Sequence, residues 1–231
     1  QGAMLATDFS VLGSGGRERA FRQTTVRAAF DQQALYVHAI CLEPDPASVT
    51  AKIAERDGSV WLEDALELFV SPDPAAALAY HFIVNARGVL YDELGTDGDY
   101  NADVTVAAVH GDQAWQVELV IPWTGLSISA PEAGQEWGFN VGREHRPQEP
   151  QEWSTWAPLQ EGKRTFGIPE LFGRLRFSDS ATPGRASKLT PPEGIVRNPA
   201  FTELRDGKPA EWSLADKTRF SEIAPMGGHY S

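Results

Sequence analysis

The stretch RDGSVWLEDALELFV, residues 56–70, sets Trp61 in a turn beside Gly58 and Ser59. Asp57, Glu63 and Asp64 surround it, and the apolar run ALELFV follows. A rigidly held indole offers a flat apolar surface that suits the C–H face of a pyranose. Carboxylates beside it accept hydrogen bonds from hydroxyl groups. The same residue types also serve a cation-binding loop or an aromatic plug at a strand entrance. Sugar platform, metal loop and core packing therefore all stand as readings of this turn.

Other groupings are more restrictive. DGDYNAD places Asp97, Asp99, Asn101 and Asp103 at every second position, like the start of a calcium loop. An EF-hand needs glycine at its sixth position and glutamate at its twelfth. Ala102 and Ala108 stand there, so the motif fails, and turn chemistry accounts for these side chains. No Gly-x-Ser-x-Gly elbow, phosphate loop or His-Glu-x-x-His occurs. His38, His81, His110, His145 and His229 are scattered without ligand spacing. The single cysteine, Cys41, excludes an intrachain disulfide and a cysteine-rich zinc site, and reads as a small core hydrophobe.

Two further segments carry polar or aromatic candidates. In EWGFNVGRE, Trp137, Phe139 and Val141 share one face, so Asn140 faces away from the core. From there Asn140, Arg143 and Glu144 could read hydroxyls, or form a turn-stabilising Arg–Glu pair. In EWSTWAP, Trp153 and Trp156 are three apart and face opposite sides of a strand, with Trp153 expected outside.

The elements that must hold these residues are strands. Apolar alternation or short apolar runs mark 25–31, 34–41, 65–70, 80–85, 87–93, 103–109, 114–121, 136–143 and 171–177. Pro122 stops the clearest of them, AWQVELVI, since proline cannot donate to a ladder, and Trp123 is expected to cover a sandwich edge. Many short strands with frequent turns and no long amphipathic helix predict an all-β fold, an antiparallel β-sandwich of two packed sheets. Residues 178–193 form a Pro/Gly/Ser-rich linker. After it, 194–231 reads as the incomplete start of a second β-domain, too short for a core of its own.

The 231 residues are 42% hydrophobic and 23% charged, which affords a core and excludes wholesale disorder. A net charge of −12 repels phosphate backbones and argues against nucleic-acid binding. No apolar run approaches the roughly 18 residues of a membrane helix.

Taken in order, QTTVRAAFDQQALYVHAIC, RDGSVWLEDALELFV, HFIVNARGVLYDE, AWQVELVIPWTGL, EWGFNVGRE, EWSTWAP and PELFGRLRF resemble the family 9 carbohydrate-binding modules. Those modules and their relatives belong to a wider sugar- and heme-binding β-sandwich superfamily. The resemblance spans 21–177 and implies a jelly-roll-like sandwich. It also implies a sugar-stacking role for Trp61, with Glu67, six residues on, bonding hydroxyls. The family's second sandwiching tryptophan has Phe166 as its nearest counterpart, and its binding arginine is replaced by Ile83, which removes a fork of donors. Lys163 and Arg164 stand near as substitutes. Family members also bind calcium, so a structural calcium stays open, and superfamily relatives bind heme through histidines such as His38 or His81. Met4 and Met226, at the extremes, supply no convincing axial partner for heme.

The family's usual opening segment does not precede QGAMLATDF, so domain 1–177 reads as trimmed at its front edge, with QGAM either a native remnant, the reading preferred, or a vector scar. The tail IVRNPAFTELRDGKPAEWSL resembles the first strand of another jelly-roll carbohydrate-binding module. The resulting expectation is a non-catalytic module that binds oligo- or polysaccharide within a larger exported, extracellular or periplasmic, polysaccharide-processing protein. Its binding residues are Trp61, Glu67, Phe166, Asn140, Arg143 and Trp153. The alternatives are a structural spacer with a degenerate site and, behind it, a heme-associated domain.

Overall fold

Each alternating run forms a strand with one face turned inward. The computed structural model describes residues 4–76, 78–146 and 149–178, together with the backbone of 204–205, 208–209 and 219–224. The strands are β1 (Met4–Ala6), β2 (Ser10–Val11), β3 (Thr24–Phe30), β4 (Ala34–Leu42), β5 (Ala65–Ser71) and β6 (Tyr80–Asn85). They continue as β7 (Leu90–Leu94), β8 (Thr105–His110), β9 (Ala114–Pro122), β10 (Glu136–His145), β11 (Glu152–Thr155) and β12 (Gly173–Phe177).

They pair into two antiparallel sheets. One runs β1-β3-β4-β9-β8 and the other β7-β6-β5-β10. The outer edge of β10 is shared: β12 pairs with its first half and β11 with its second, and β2 lies beyond β11. The predicted all-β sandwich is what forms.

The core lies between the sheets. Val26, Ala28 and Phe30 of β3, Leu35 to Cys41 at alternate positions of β4, and Trp115 to Ile121 of β9 face Leu66, Leu68, Val70, Phe82, Val84, Phe139 and Val141 across it. Burying each large side chain contributes about 1.5–3 kcal/mol. Phe177 joins the sheets, edge-on to Phe30 at 4.9 Å and to Trp137 at 4.7 Å. Cys41 is wholly buried, as expected, and burial pushes its thiol up to about 11. Trp123 departs from expectation. It is inside the core rather than over an edge, because its indole N–H finds a partner there, the Asp31 carbonyl at 2.9 Å.

Strand bounds shift where backbone geometry intervenes. The strand expected from Arg87 starts at Leu90, since 86–89 form a turn in which Gly88 takes φ 89°. The strand expected from Leu171 starts at Gly173, after a 3-10 turn at Pro169–Leu171. The linker call falls outside the described residues apart from Ser178, and so does most of 194–231. Within that tail, the backbone of Arg219–Ala224 pairs antiparallel with β12 and with β3.

Candidate functional site

The second sheet carries chemistry on the face turned away from the main core. In β5 that face holds Ala65, Glu67 and Phe69, between the inward Leu66, Leu68 and Val70. Register sets Glu67 against Ile83 and Gly142, and Phe69 against His81 and Asn140. His81 in turn lies opposite Glu93 of β7. Acidic and aromatic groups from four strands therefore share one surface.

Their hydrogen bonds form a line across the strands. Tyr91 donates its hydroxyl to Glu93 Oε2 at 3.0 Å. His81 Nδ1 lies 2.8 Å from Glu93 Oε1, and His81 Nε2 lies 2.8 Å from Glu67 Oε2. A neutral imidazole has one N–H and cannot donate to two carboxylates, so this geometry requires the imidazolium. Burial alone would lower the His81 pKa, but the bonds to Glu67 and Glu93 outweigh it and raise it. The bond from His81 holds Glu93 below the usual carboxylate range. The ring also stacks on Phe69, with centroids 4.0 Å apart.

Glu144 of β10 ends the line. It is a diagonal neighbour of Glu67, two residue pairs along the ladder, and both are almost fully buried. Burial first, and the Glu67 charge second, push the Glu144 carboxyl above the usual range, while Arg146 acts against them.

Walls rise on two sides of this floor and enclose a cleft of about 1020 Å³. One wall is the segment 156–172, which leaves the sheet after β11 and returns at β12. Phe166 lies flat on β10 over Gly142, where an added Cβ would meet its ring at 2.7 Å. The other wall is the turn after β2, tied by Leu12 N–H to the Trp153 carbonyl at 2.8 Å and by Gly162 N–H to the Gly13 carbonyl at 2.9 Å. Trp153 projects into the cleft from β11, with the Arg146 guanidinium 5.0 Å from its ring centroid. Arg146 also donates to the Trp61 carbonyl at 3.2 Å and approaches Glu144 at 3.5 Å.

The six expected residues distribute as follows. Glu67, Phe166 and Trp153 line the cleft together. Phe166 is only 4% exposed and packs with Phe69 and Phe172, so it forms floor more than platform. Trp61, in the 3-10 turn Val60–Leu62, does not line the cleft; it packs edge-on against Tyr91 at 5.0 Å and with Ala65 and Ile83. Ala65 and Phe69 flank Glu67 on β5, so the Trp61 and Phe166 clusters lie on either side of that carboxylate.

Two expectations need correction. Asn140 faces away from the main core as expected, yet it does not reach the cleft. It is fully buried, donating to the Phe166 carbonyl at 3.1 Å and accepting from Thr155 Oγ1 and Ala157 N–H. Arg143 shares parity with Trp137, Phe139 and Val141 and points to the opposite side of the sheet. There it donates to the Leu42 carbonyl at 2.7 Å and Glu43 at 3.1 Å, over the Trp115 ring.

In the 97–103 turn, Asp97 Oδ1 accepts from the Asp99 N–H and Asn101 Oδ1 accepts from Arg56, as turn chemistry expects. Among the described residues, Glu43, Asp64 and His145 come close enough to share an ion. Two guanidiniums, Arg22 and Arg143, already occupy Glu43, which does not fit a cation. Of the two histidines considered for heme, His38 is wholly buried with Nε2 2.9 Å from Gln116, and both His81 ring nitrogens are engaged by Glu67 and Glu93. Sequence reasoning missed His81, Glu93 and Arg146 as parts of the cleft. For His81 the signal was present, since YHFIVN alternates and puts it outward beside Glu67.

The description "Carbohydrate family 9 binding domain-like" matches residues 5–180. The chain belongs to this family. Among solved structures, it is similar to a protein of Bacteroides uniformis described as a carbohydrate binder, at 19% identity and TM-score 0.61, covering 74% of this chain and 85% of that one. It is also similar to a family 9 carbohydrate-binding module from Caldicellulosiruptor kristjanssonii in complex with cellotriose. That match has 16% identity and TM-score 0.55, over 83% of this chain and 87% of the other. The same organism's module in complex with glucose matches at 17% identity and TM-score 0.54, over 80% and 88%. At these identities the structural likeness speaks for the shared fold. No curated protein matches the chain.

Proposed function

We infer that this domain is a non-catalytic carbohydrate-binding module whose ligand, an oligo- or polysaccharide, enters the cleft on the outer face of the second sheet. The observation that carries this reading is the juxtaposition of Trp153 with the Glu67–His81–Glu93 line in one cleft. An accessible indole beside fixed, charged hydrogen-bonding groups is the combination a pyranose requires, apolar on one face and polar at the rim. The module then serves to hold a larger, exported polysaccharide-processing protein on its glycan, outside the cytoplasm. Cellotriose and glucose in the related modules make β-glucan fragments the first ligands to try.

Calorimetric titration against a panel including cellotriose and glucose tests this. Saturable binding is expected, weakened about tenfold or more by Trp153→Ala through loss of stacked apolar area. Trp61→Ala is expected to have a smaller effect through its packing on Tyr91. Equal affinity in the Trp153 variant would remove the cleft from consideration.

A spacer role is the second reading. It is favoured by the burial of Phe166 and by the structural engagement of Asn140 and Arg143. Silence across the glycan panel would select it.

A further inference from the structure

We propose that Arg146 is a ligand-binding residue of the cleft, donating from its guanidinium to the hydroxyls of a sugar seated against Trp153. This rests on the carbohydrate reading of the same cleft and names a residue that supplies its donors.

The floor of the cleft is rich in acceptors. Glu67, Glu93 and Glu144 line it with carboxylate oxygens. His81 brings two N–H groups, and both are spent, one on Glu67 and one on Glu93. Ile83, the β6 residue opposite Glu67, packs with Trp61 and Ala65 and offers no donor. A pyranose hydroxyl both donates and accepts. A floor of carboxylates answers its donor role and leaves its acceptor role open.

Arg146, just past the end of β10, fills that gap. Its guanidinium lies over the Trp153 ring, 5.0 Å from the centroid. Nη1 donates to the Trp61 carbonyl at 3.2 Å, and Nε stands 3.5 Å from Glu144 Oε2. The attraction to the ring spends no N–H, and at that distance Nε pairs charge with Glu144 without a hydrogen bond. Of the five N–H groups of a guanidinium, one is therefore committed to a protein acceptor among the described residues. Nε is buried, but the side chain is 26% exposed and lines the cleft, which leaves its remaining Nη donors for a ligand.

These contacts also order the side chain before any ligand arrives, which lowers the entropy lost on binding. Arg164, the other arginine on the cleft, is exposed on the 156–172 segment and has no partner among the described residues. A ligand bonded to Arg164 would have to freeze its rotamers first. The turn that carries Trp61 thereby gains a part in a cleft it does not line, since its carbonyl fixes the guanidinium.

Titration of the full chain with glucose, cellotriose and the set of monodeoxyglucoses tests this, in the wild type, Arg146→Met and Arg146→Lys. In the wild type, the analogue lacking the hydroxyl that Arg146 reads is expected to bind about tenfold or more weakly than glucose, the scale of a hydrogen bond to a charged group. In Arg146→Met that difference is expected to vanish, because the donor has gone, while losses at hydroxyls read by the carboxylates persist. Arg146→Lys keeps the charge without the fork and is expected to recover only part of the affinity. A residue that merely props Trp153 would weaken every sugar by one common factor. That pattern in Arg146→Met overturns the proposal, and so does unchanged affinity. Thermal melts establish that each variant is folded. Should Arg146→Met fail to fold, Arg146→Lys decides, and wild-type affinity with the wild-type deoxy-sugar profile in that variant overturns the proposal. A wild type that binds no sugar overturns the carbohydrate reading and this proposal with it, an outcome distinct from a wild type that binds with Arg146 indifferent.

Discussion

His81 Nε2 stands 2.8 Å from Glu67 Oε2 across the β5–β6 ladder, on the face turned away from the sandwich core. With Glu93 on its other nitrogen, His81 must be the imidazolium, and this has a thermodynamic sign. A histidine with a raised folded pKa stabilises the fold fully below its unfolded value, near 6.5, and loses that stabilisation as pH rises through the folded value. Thermal melts between pH 6 and 9 are therefore expected to show the wild type losing its advantage over His81→Gln with rising pH. A gap that stays constant across that range would mean that His81 is not charged in the folded state.

Gly142→Ala tests the wall of the cleft. The new methyl would meet the Phe166 ring at 2.7 Å, far inside van der Waals contact, so the segment carrying Phe166 must lift. Destabilisation of about 1–3 kcal/mol is expected. Chemical denaturation measures it, and a neutral result would show that Phe166 can move without cost.

Asn140→Ala separates support from contact. It leaves the Ala157 N–H and the Phe166 carbonyl without their buried partner, at a cost of about 2 kcal/mol or more. At a temperature where the variant is folded, the ligand should still bind, with weakened affinity only if the Phe166 segment shifts. Complete loss of binding in a folded variant would make Asn140 a direct contact after all.

Arg143→Met addresses the opposite side of the same strand. Removing the guanidinium leaves buried Glu43 with Arg22 as its one remaining guanidinium, beside His145 and the Asp45 N–H, and breaking such a pair typically costs about 3–5 kcal/mol. The double variant Arg143→Met with Glu43→Gln should recover part of that loss, and calorimetric melts would show it. Equal stability for the single and double variants would mean that the pair is not coupled.

Alternation made the sandwich legible, since period two alone separates Val37 from His38 and Leu68 from Glu67. The same rule, carried one residue further, puts Arg143 with Trp137, Phe139 and Val141 on the inward face. The expected strand ended there, and a charged residue at a strand end reads as exposed. In fact β10 continues to His145. What makes an inward arginine tolerable is a carboxylate a hundred residues earlier, Glu43, and nothing local to FNVGRE announces it. Asn140 is the converse case. Its direction was readable, but the segment that covers it comes from 156–172, whose path over the sheet follows from tertiary packing. Trp153 was legible for the opposite reason: its neighbour at three residues' distance, Trp156, is taken by the core, and a strand gives the two opposite sides.

The shared edge of β10 has a consequence for diversification. Because β11 and β12 divide one strand edge between them, the segment joining them cannot continue the ladder and must arch over the outer face. That arch supplies a cleft wall, while the strand pairing on either side of it is complete without its sequence. Residues 160–165, ahead of the Phe166 that docks on Gly142 and Asn140, can therefore vary in length and chemistry as an antibody loop does on its framework. Related chains could trade one glycan for another by rewriting the arch and leaving the sandwich untouched.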